Sequence, residues 1–146
     1  MPLATPTSTW CASNLPENSF TMWGRGISPS TTWPPRYAGT DLIKKWFKLN
    51  FDGASQWNPR KASGGGIIHD HYGKWIKGYM RNIGNASNIV AEFWALRDGL
   101  MLPTQLGITQ LLVELDTQVI VNLVLSKKPI NRSYSSLLND CRYLLG

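Results

Sequence analysis

The hydrophobic pattern of the chain changes its period once, and this change limits the possible folds more than any other feature. Residues 46–52 alternate in apolar character as a half-buried strand does, and residues 64–70 and 74–81 form two further strand candidates around a turn at 71–73. From residue 87 to residue 102, apolar side chains recur every three or four positions, as in an amphipathic helix with Ser87 as N-cap. Three strands followed by a helix are therefore predicted.

The rest of the chain continues this alternation of strands and helices. Residues 111–115 predict a fourth strand, and residues 117–125 and 135–145 predict two more helices, while Pro103 predicts the end or a kink of the first helix. The element order is β-β-β-α-β-α-α. Because the second and third strands are joined by a short turn, they are expected to pair antiparallel. The pattern predicts an α/β fold with a mixed sheet.

Residues 1–45 lack any such period. The segment is rich in Pro, Ser, Thr and Gly, so we expect it to be disordered, with a single domain over residues 46–146. Its tryptophans Trp10, Trp23 and Trp33 either anchor a partner or belong to a tail without a function of its own.

The formal net charge of +6 favours a polyanionic partner, although plain solvating charge would give the same total. Eight basic residues fall in one part of the chain: Lys44, Lys45, Lys48, Arg60, Lys61, Lys74, Lys77 and Arg81. The two cysteines, Cys11 and Cys141, fit no metal-ligand spacing and indicate a reducing compartment. No segment is apolar over the length of a membrane span, and we expect a protein of the nucleus or cytoplasm that does not bind membranes.

Three acidic residues occupy positions suited to chemistry. Asp52 is placed at the end of the first predicted strand, Glu92 lies in an otherwise apolar helical stretch, and Asp116 follows the fourth strand. Each has an ordinary alternative: a turn residue, a helix-edge residue and a helix N-cap. If the three converge, their repulsion favours a bound cation, and Mg²⁺ prefers a few carboxylates together with water and phosphate. Such a cluster would hold a pair of Mg²⁺ ions, with Mn²⁺ as a substitute.

Four motifs resemble one known family: KLNFDGAS at residues 48–55, GGGIIHD at 64–70, AEFWALRDGL at 91–100 and VELD at 113–116. In this order they resemble the type I ribonuclease H-like domain that is common in plant genomes and often follows retrotransposon reverse transcriptases. The resemblance implies a ribonuclease H-like fold, with an antiparallel three-strand meander followed by α-β-α. The family usually continues into a fifth strand and a helix with a fourth aspartate, which this chain is expected to lack. Asp140 lies in the preceding helix and does not match that residue.

The resemblance also implies roles for single residues. Asp52, Glu92 and Asp116 match the catalytic, metal-binding carboxylates, and the backbone at Gly53 is expected to approach a ligand closely. Asn88 and Gln118 match positions that contact RNA 2′-hydroxyls, the group that distinguishes RNA from DNA.

The implied function is hydrolysis of the RNA strand of an RNA–DNA hybrid by two metal ions, by a chain acting as a monomer. The alternatives are an inactive remnant that still binds nucleic acid and a DNA strand-transfer enzyme on the same fold.

Glu114 either joins the acid cluster or is an ordinary polar strand residue, and Lys127 and Lys128 either hold phosphate or form a solvated helix end. His69 and His71 are predicted to be surface residues of the hairpin turn, far from the acids.

Overall fold

The computed structural model describes residues 11–14, 20–24, 47–56, 60–108, 111–115 and 117–145. In these ranges six strands are formed: β1 (Cys11–Asn14), β2 (Phe20–Gly24), β3 (Phe47–Ser55), β4 (Arg60–Asp70), β5 (Trp75–Ala86) and β6 (Leu111–Leu115). The helices of the same ranges are α1 (Asn88–Leu106), α2 (Gln118–Leu125) and α3 (Ser135–Leu145).

The strands form one mixed sheet in the order β1-β2-β6-β3-β4-β5. β3, β4 and β5 are consecutive antiparallel neighbours, and β6 pairs parallel with the other side of β3. A parallel neighbour requires a crossover, and α1 provides it. The predicted α/β class, with an antiparallel meander followed by α-β-α, is confirmed.

The core lies between the sheet and α1. Leu49 of β3, Ile68 of β4 and Phe93 of α1 are fully buried. The third helix closes the core from outside, where the Cys141 thiol contacts the Phe93 carbonyl at 3.6 Å. Burial raises the pKa of the Cys141 thiol to about 12, so this cysteine is an apolar packing residue at neutral pH.

Helix α1 begins as predicted but ends later. The Ser87 side chain accepts a hydrogen bond from the Val90 N–H, and the helix runs through Pro103 to Leu106 before Gly107 ends it at φ 68°. Of the two alternatives predicted at Pro103, an end of the helix was wrong and a kink stays a prediction. Leu102 and Pro103 are both buried, and this burial offsets the missing backbone hydrogen bond. None of the described helices combines the length and apolar character needed to cross a membrane.

The strands are also longer than predicted. β3 continues to Ser55 and pairs with β4 from Phe47↔Asp70 to Ser55↔Ala62. Asp52 therefore lies inside a strand, opposite Gly65, and the prediction that it ends the strand was wrong. Residues 53–55 do not alternate clearly between apolar and polar side chains, so the sequence does not reveal this part of the strand. Its pairing depends on the partner strand β4.

An N-terminal hairpin extends the sheet beyond β6. β1 pairs with β2, and β2 pairs antiparallel with β6 from Phe20↔Leu115 to Gly24↔Leu111. These two strands differ from the disorder predicted for residues 1–45; the remainder of that segment, including Trp10 and Trp33, lies outside the described residues. β2 therefore occupies the edge of β6 that would otherwise have unpaired backbone.

Candidate active site

Strand β3 and helix α1 touch at the two acids whose roles were predicted from the sequence. A Cβ atom placed on Gly53 would lie 2.3 Å from the carbonyl carbon and oxygen of Ala91 and 2.5 Å from the amide nitrogen of Glu92. A glycine is required for this contact, since real Cβ atoms do not approach backbone so closely. The peptides that follow Asp52 and precede Glu92 are thus packed directly on each other.

The two acids line adjoining depressions. Glu92 lines one of about 560 Å³, together with Gly53, Asn88 and Thr117. The exposed Asp52 lines another of about 500 Å³, on the sheet face opposite α1, and Ala54 belongs to both. The structure therefore brings Asp52 and Glu92 to one crossing of strand and helix, with the β3 backbone between the two depressions.

Asn88 is held in place by the end of β3. Its side-chain oxygen accepts a hydrogen bond from the Ser55 N–H at 2.8 Å, which fixes the orientation of the amide at the rim of the Glu92 depression. This bond joins the first residue of α1 to the last residue of β3. A residue proposed to recognise a hydroxyl group gains from such fixing, because little side-chain freedom is lost on binding.

The third predicted acid, Asp116, lies outside the described residues. Thr117, which follows it, lines the depression that contains Glu92, and Gln118 begins α2 as an exposed residue. Within the described ranges no group of three potential metal-ligating side chains is present. The three-carboxylate site consequently stays a prediction.

The open face of the sheet carries a second set of polar contacts near Asp52. Asn50 lies two residues before Asp52 on β3, and its side-chain nitrogen is 3.4 Å from His69 Nε2. The Asn50 side-chain oxygen is buried, and it has no hydrogen-bond partner in the part of the chain that the structure describes. His69 is thus a half-buried residue of β4, which corrects its predicted place in the turn, whereas His71 is an exposed turn residue as predicted.

Ion pairs determine the surroundings of Glu114 and divide the basic residues into paired and exposed ones. Glu114 forms an ion pair with Lys48 at 2.7 Å and is a paired polar strand residue. Arg81 is also paired, through Asp98. Lys74 and Lys77 are exposed near the turn between β4 and β5, and Lys127 and Lys128 are exposed after α2.

A network that the sequence interpretation missed joins β5, α1 and α3. Arg81 binds Asp98 through two nitrogens, and its guanidinium lies 4.4 Å from the centre of the Trp94 ring. The hydrogen bond to Asp98 raises the pKa of Arg81. Arg97 joins Asp98 to Asp140 on α3. Trp94, Arg97 and Asp98 are spaced three and four residues apart and so lie on one helix face. This spacing is the sequence feature from which the network could have been predicted.

Solved structures share this architecture. The ribonuclease H1 of Halobacterium salinarum superposes with a TM-score of 0.57 and 24% identity, over 68% of this chain and 76% of that one. The N-terminal ribonuclease H domain of a Mycobacterium tuberculosis protein superposes with a TM-score of 0.57 and 21% identity, over 68% of this chain and 73% of that one. The LC11 ribonuclease H1, solved with an RNA/DNA hybrid, superposes with a TM-score of 0.56 and 20% identity, over 67% of this chain and 75% of that one. These similarities define a ribonuclease H-like fold.

The sequence comparison gives the family. The model of the reverse transcriptase-like family matches residues 50–146. The chain therefore belongs to the reverse transcriptase-like family. An Arabidopsis thaliana protein that is provisionally named as a ribonuclease H protein is 35% identical over 100 residues, which are 68% of this chain and 16% of that protein.

Proposed function

We propose that this chain is a ribonuclease that hydrolyses the RNA strand of RNA–DNA hybrids. The observation that carries the proposal is the contact of Gly53 with the Ala91–Glu92 peptide, which brings Asp52 and Glu92 to one crossing of β3 and α1. Two comparisons support it: the name of the Arabidopsis relative and the RNA/DNA hybrid bound to a protein of similar fold.

The side chains at this crossing fit a hard divalent cation. Carboxylate oxygens are the ligands that Mg²⁺ prefers, and the Asp52 side chain is exposed where phosphate and water can complete the coordination. We propose that Asp52, Glu92 and Asp116 hold two Mg²⁺ ions, which Mn²⁺ can replace. When bound, such a pair supplies an activated water and charge stabilisation for the leaving oxygen.

The residues around Glu92 are proposed to recognise the RNA strand. Asn88, oriented by the Ser55 N–H, and Gln118 at the start of α2 are proposed to hydrogen-bond to 2′-hydroxyls in the shallow minor groove. Gly53 lines the same depression, and we propose that its backbone approaches the sugar-phosphate backbone of the substrate there.

The setting of this activity is also part of the proposal. The family description and the Arabidopsis relative support an origin in a plant retrotransposon-related sequence. We propose that the chain acts as a monomer in the nucleus or cytoplasm, the compartments in which RNA–DNA hybrids form.

Replacement of Asp52 by Asn tests the proposal. Asp52→Asn keeps the size of the side chain but removes the charge, so cleavage of an end-labelled hybrid in Mg²⁺ is expected to fall on the order of a thousandfold, since a bound metal contributes several kcal/mol. The exposed position of Asp52 predicts an unchanged circular dichroism spectrum and unfolding transition.

Asp140→Asn is the matched control, because Asp140 is an acid of equal size whose side chain is 55% exposed and which is paired with Arg97 on the far side of α1. Equal cleavage rates for the parent and Asp52→Asn would refute the assignment. A folded parent that binds the hybrid but cuts it with neither Mg²⁺ nor Mn²⁺ would instead identify an inactive binding module.

A further inference from the structure

The open face of the sheet has an arrangement that follows from the strand register, which shifts by one residue between Ile68 and His69. Three rows of residues cross β3, β4 and β5: Asp52–Gly65–Met80, Asn50–Ile67–Gly78 and Lys48–His69–Trp75. Directly paired residues project to the same face of a sheet, so Asp52 and Trp75 lie at opposite corners of one surface. The strand dimensions place them roughly 17 Å apart, four residues along and two strands across.

Large apolar side chains are exposed at the Trp75 side of this surface. Trp75 is 62% exposed and Met80 is 93% exposed, with Ile67 between them at 42%. A Cβ atom on Gly78 would lie 3.5 Å from the Trp75 indole nitrogen and 3.5 Å from Ile67 Cγ2, so the indole rests on the glycine beside Ile67. We name the residues Ile67, His69, Trp75 and Met80 the Trp75 face.

The charge around the Trp75 face is positive. Lys74 directly precedes the tryptophan and is exposed, and it takes part in no ion pair within the described ranges. Lys77 is paired with the buried Ile68 and therefore projects to the α1 side of the sheet. The neighbouring acid, Asp70, accepts hydrogen bonds from the Tyr72 and Lys74 backbone N–H groups at 2.9 and 2.8 Å. Its carboxylate serves the turn, and Lys74 retains its charge for an external anion.

We propose that the Trp75 face binds a single-stranded extension of the hybrid, with a base stacked on the Trp75 indole and a phosphate near Lys74. An exposed aromatic ring beside an unpaired cation is the combination that holds single strands without sequence preference. The inference rests on the proposed function, since it extends the substrate from Asp52 across the open face. The separation of roughly 17 Å corresponds to about five stacked nucleotides at roughly 3.4 Å each.

Fluorescence anisotropy with labelled hybrids tests the inference, in Ca²⁺ to limit cleavage. We define the gain as the affinity for the extended hybrid divided by the affinity for the blunt hybrid. The gain is measured for each variant, so the blunt hybrid serves as the reference for that same variant. An extension of roughly eight nucleotides is expected to give a gain of about tenfold, and one of about two nucleotides none, because only the longer one spans the distance from Asp52 to Trp75.

Four variants assign the gain to the Trp75 face. Trp75→Ala is expected to reduce the gain below about twofold, while Trp75→Phe keeps part of it because a stacking ring remains. Tyr143→Ala is the matched control, since Tyr143 is an 85% exposed aromatic residue on α3, and it is expected to keep the parental gain. Lys74→Gln is expected to weaken the salt dependence of the gain.

An equal gain in the parent and in Trp75→Ala overturns the inference, as does a parent that binds blunt and extended hybrids equally. So does sedimentation showing a dimer of the parent that Trp75→Ala abolishes, since a second copy would then occupy the face. A labelled single strand of about eight nucleotides is titrated alone in parallel. Binding of that strand through Trp75 without binding of the blunt hybrid rejects the proposed function but supports the inference.

Discussion

Gly53 shows how a single residue determines the candidate site. The sequence predicted that the backbone at Gly53 approaches a ligand, because a glycine after an acid leaves room. The structure shows that this room is taken by the Ala91–Glu92 peptide of α1, and Gly53 is buried there. Its role is therefore first to let the strand and the helix meet, and this contact brings the backbones of Asp52 and Glu92 to one crossing.

Gly53→Ala is expected to lower the free energy of unfolding by about 1–3 kcal/mol, the usual cost of an added methyl group in a packed contact. Cleavage of the hybrid is expected to fall with it, because β3 must move away from α1 and separate Asp52 from Glu92. Chemical denaturation and a cleavage assay measure the two effects.

The control is Gly78→Ala, whose added Cβ would have its nearest neighbours at 3.4–3.5 Å, an ordinary contact distance. We expect its unfolding free energy to stay within about 1 kcal/mol of the parent. Parental stability and activity in Gly53→Ala would show that the two backbones are not pressed together.

At the scale of elements, charged side chains join β5, α1 and α3 where the apolar core ends. Asp98 of α1 binds Arg81 of β5 and Arg97 of its own helix, and Arg97 continues to Asp140 of α3. Trp94 lies beneath Arg81 and shields the pair. The orientation of α1 relative to β5 therefore depends on Asp98 more than on any acid at the surface.

Asp98→Asn is expected to lower the free energy of unfolding by about 1–2 kcal/mol, because Asp98 holds a charge-assisted pair with Arg81 and its side chain is only 16% exposed. The 38% exposure of Arg81 keeps the effect below that of a fully buried pair. Thermal or chemical unfolding measures the difference.

In the same experiment Asp140→Asn is expected to cost less than about 0.5 kcal/mol, since the Asp140 side chain is 55% exposed and its pair with Arg97 is screened by water. A larger loss for Asp140→Asn than for Asp98→Asn would show that the network is anchored on α3 instead of on β5.

At the scale of the whole molecule, the N-terminal hairpin closes one edge of the sheet. β2 pairs with every residue of β6, and its first residue, Phe20, is opposite Leu115, directly before the predicted acid Asp116. An open edge strand offers unpaired N–H and C=O groups to other chains. The hairpin therefore protects the strand that leads into the candidate site.

Removal of residues 1–24 is expected to expose the backbone of β6 and to cause concentration-dependent association. Size-exclusion chromatography and sedimentation over a range of concentrations detect it. Removal of residues 1–10 alone, which leaves β1 and β2 intact, is the control and is expected to behave as the parent. A shortened chain without residues 1–24 that stays monomeric with parental stability would contradict a protective role for the hairpin.

The sequence alone determined the order and type of the elements from β3 to α3, because hydrophobic periodicity and helix caps are local patterns that extend over only a few residues. Ser87 and the 135–145 helix were predicted correctly on this basis. The same local patterns picked out Asp52 and Glu92 as acids in unusual settings, and the family motifs assigned them a shared role.

Only the tertiary structure decided how far each element extends and which residues meet. The length of β3 beyond Asp52 depends on β4, the continuation of α1 through Pro103 depends on burial, and the place of β2 depends on an open edge at β6. These outcomes depend on contacts between residues distant in sequence, and such contacts leave no periodic pattern in either partner. For the same reason the Trp75 face became visible only when three strands were aligned.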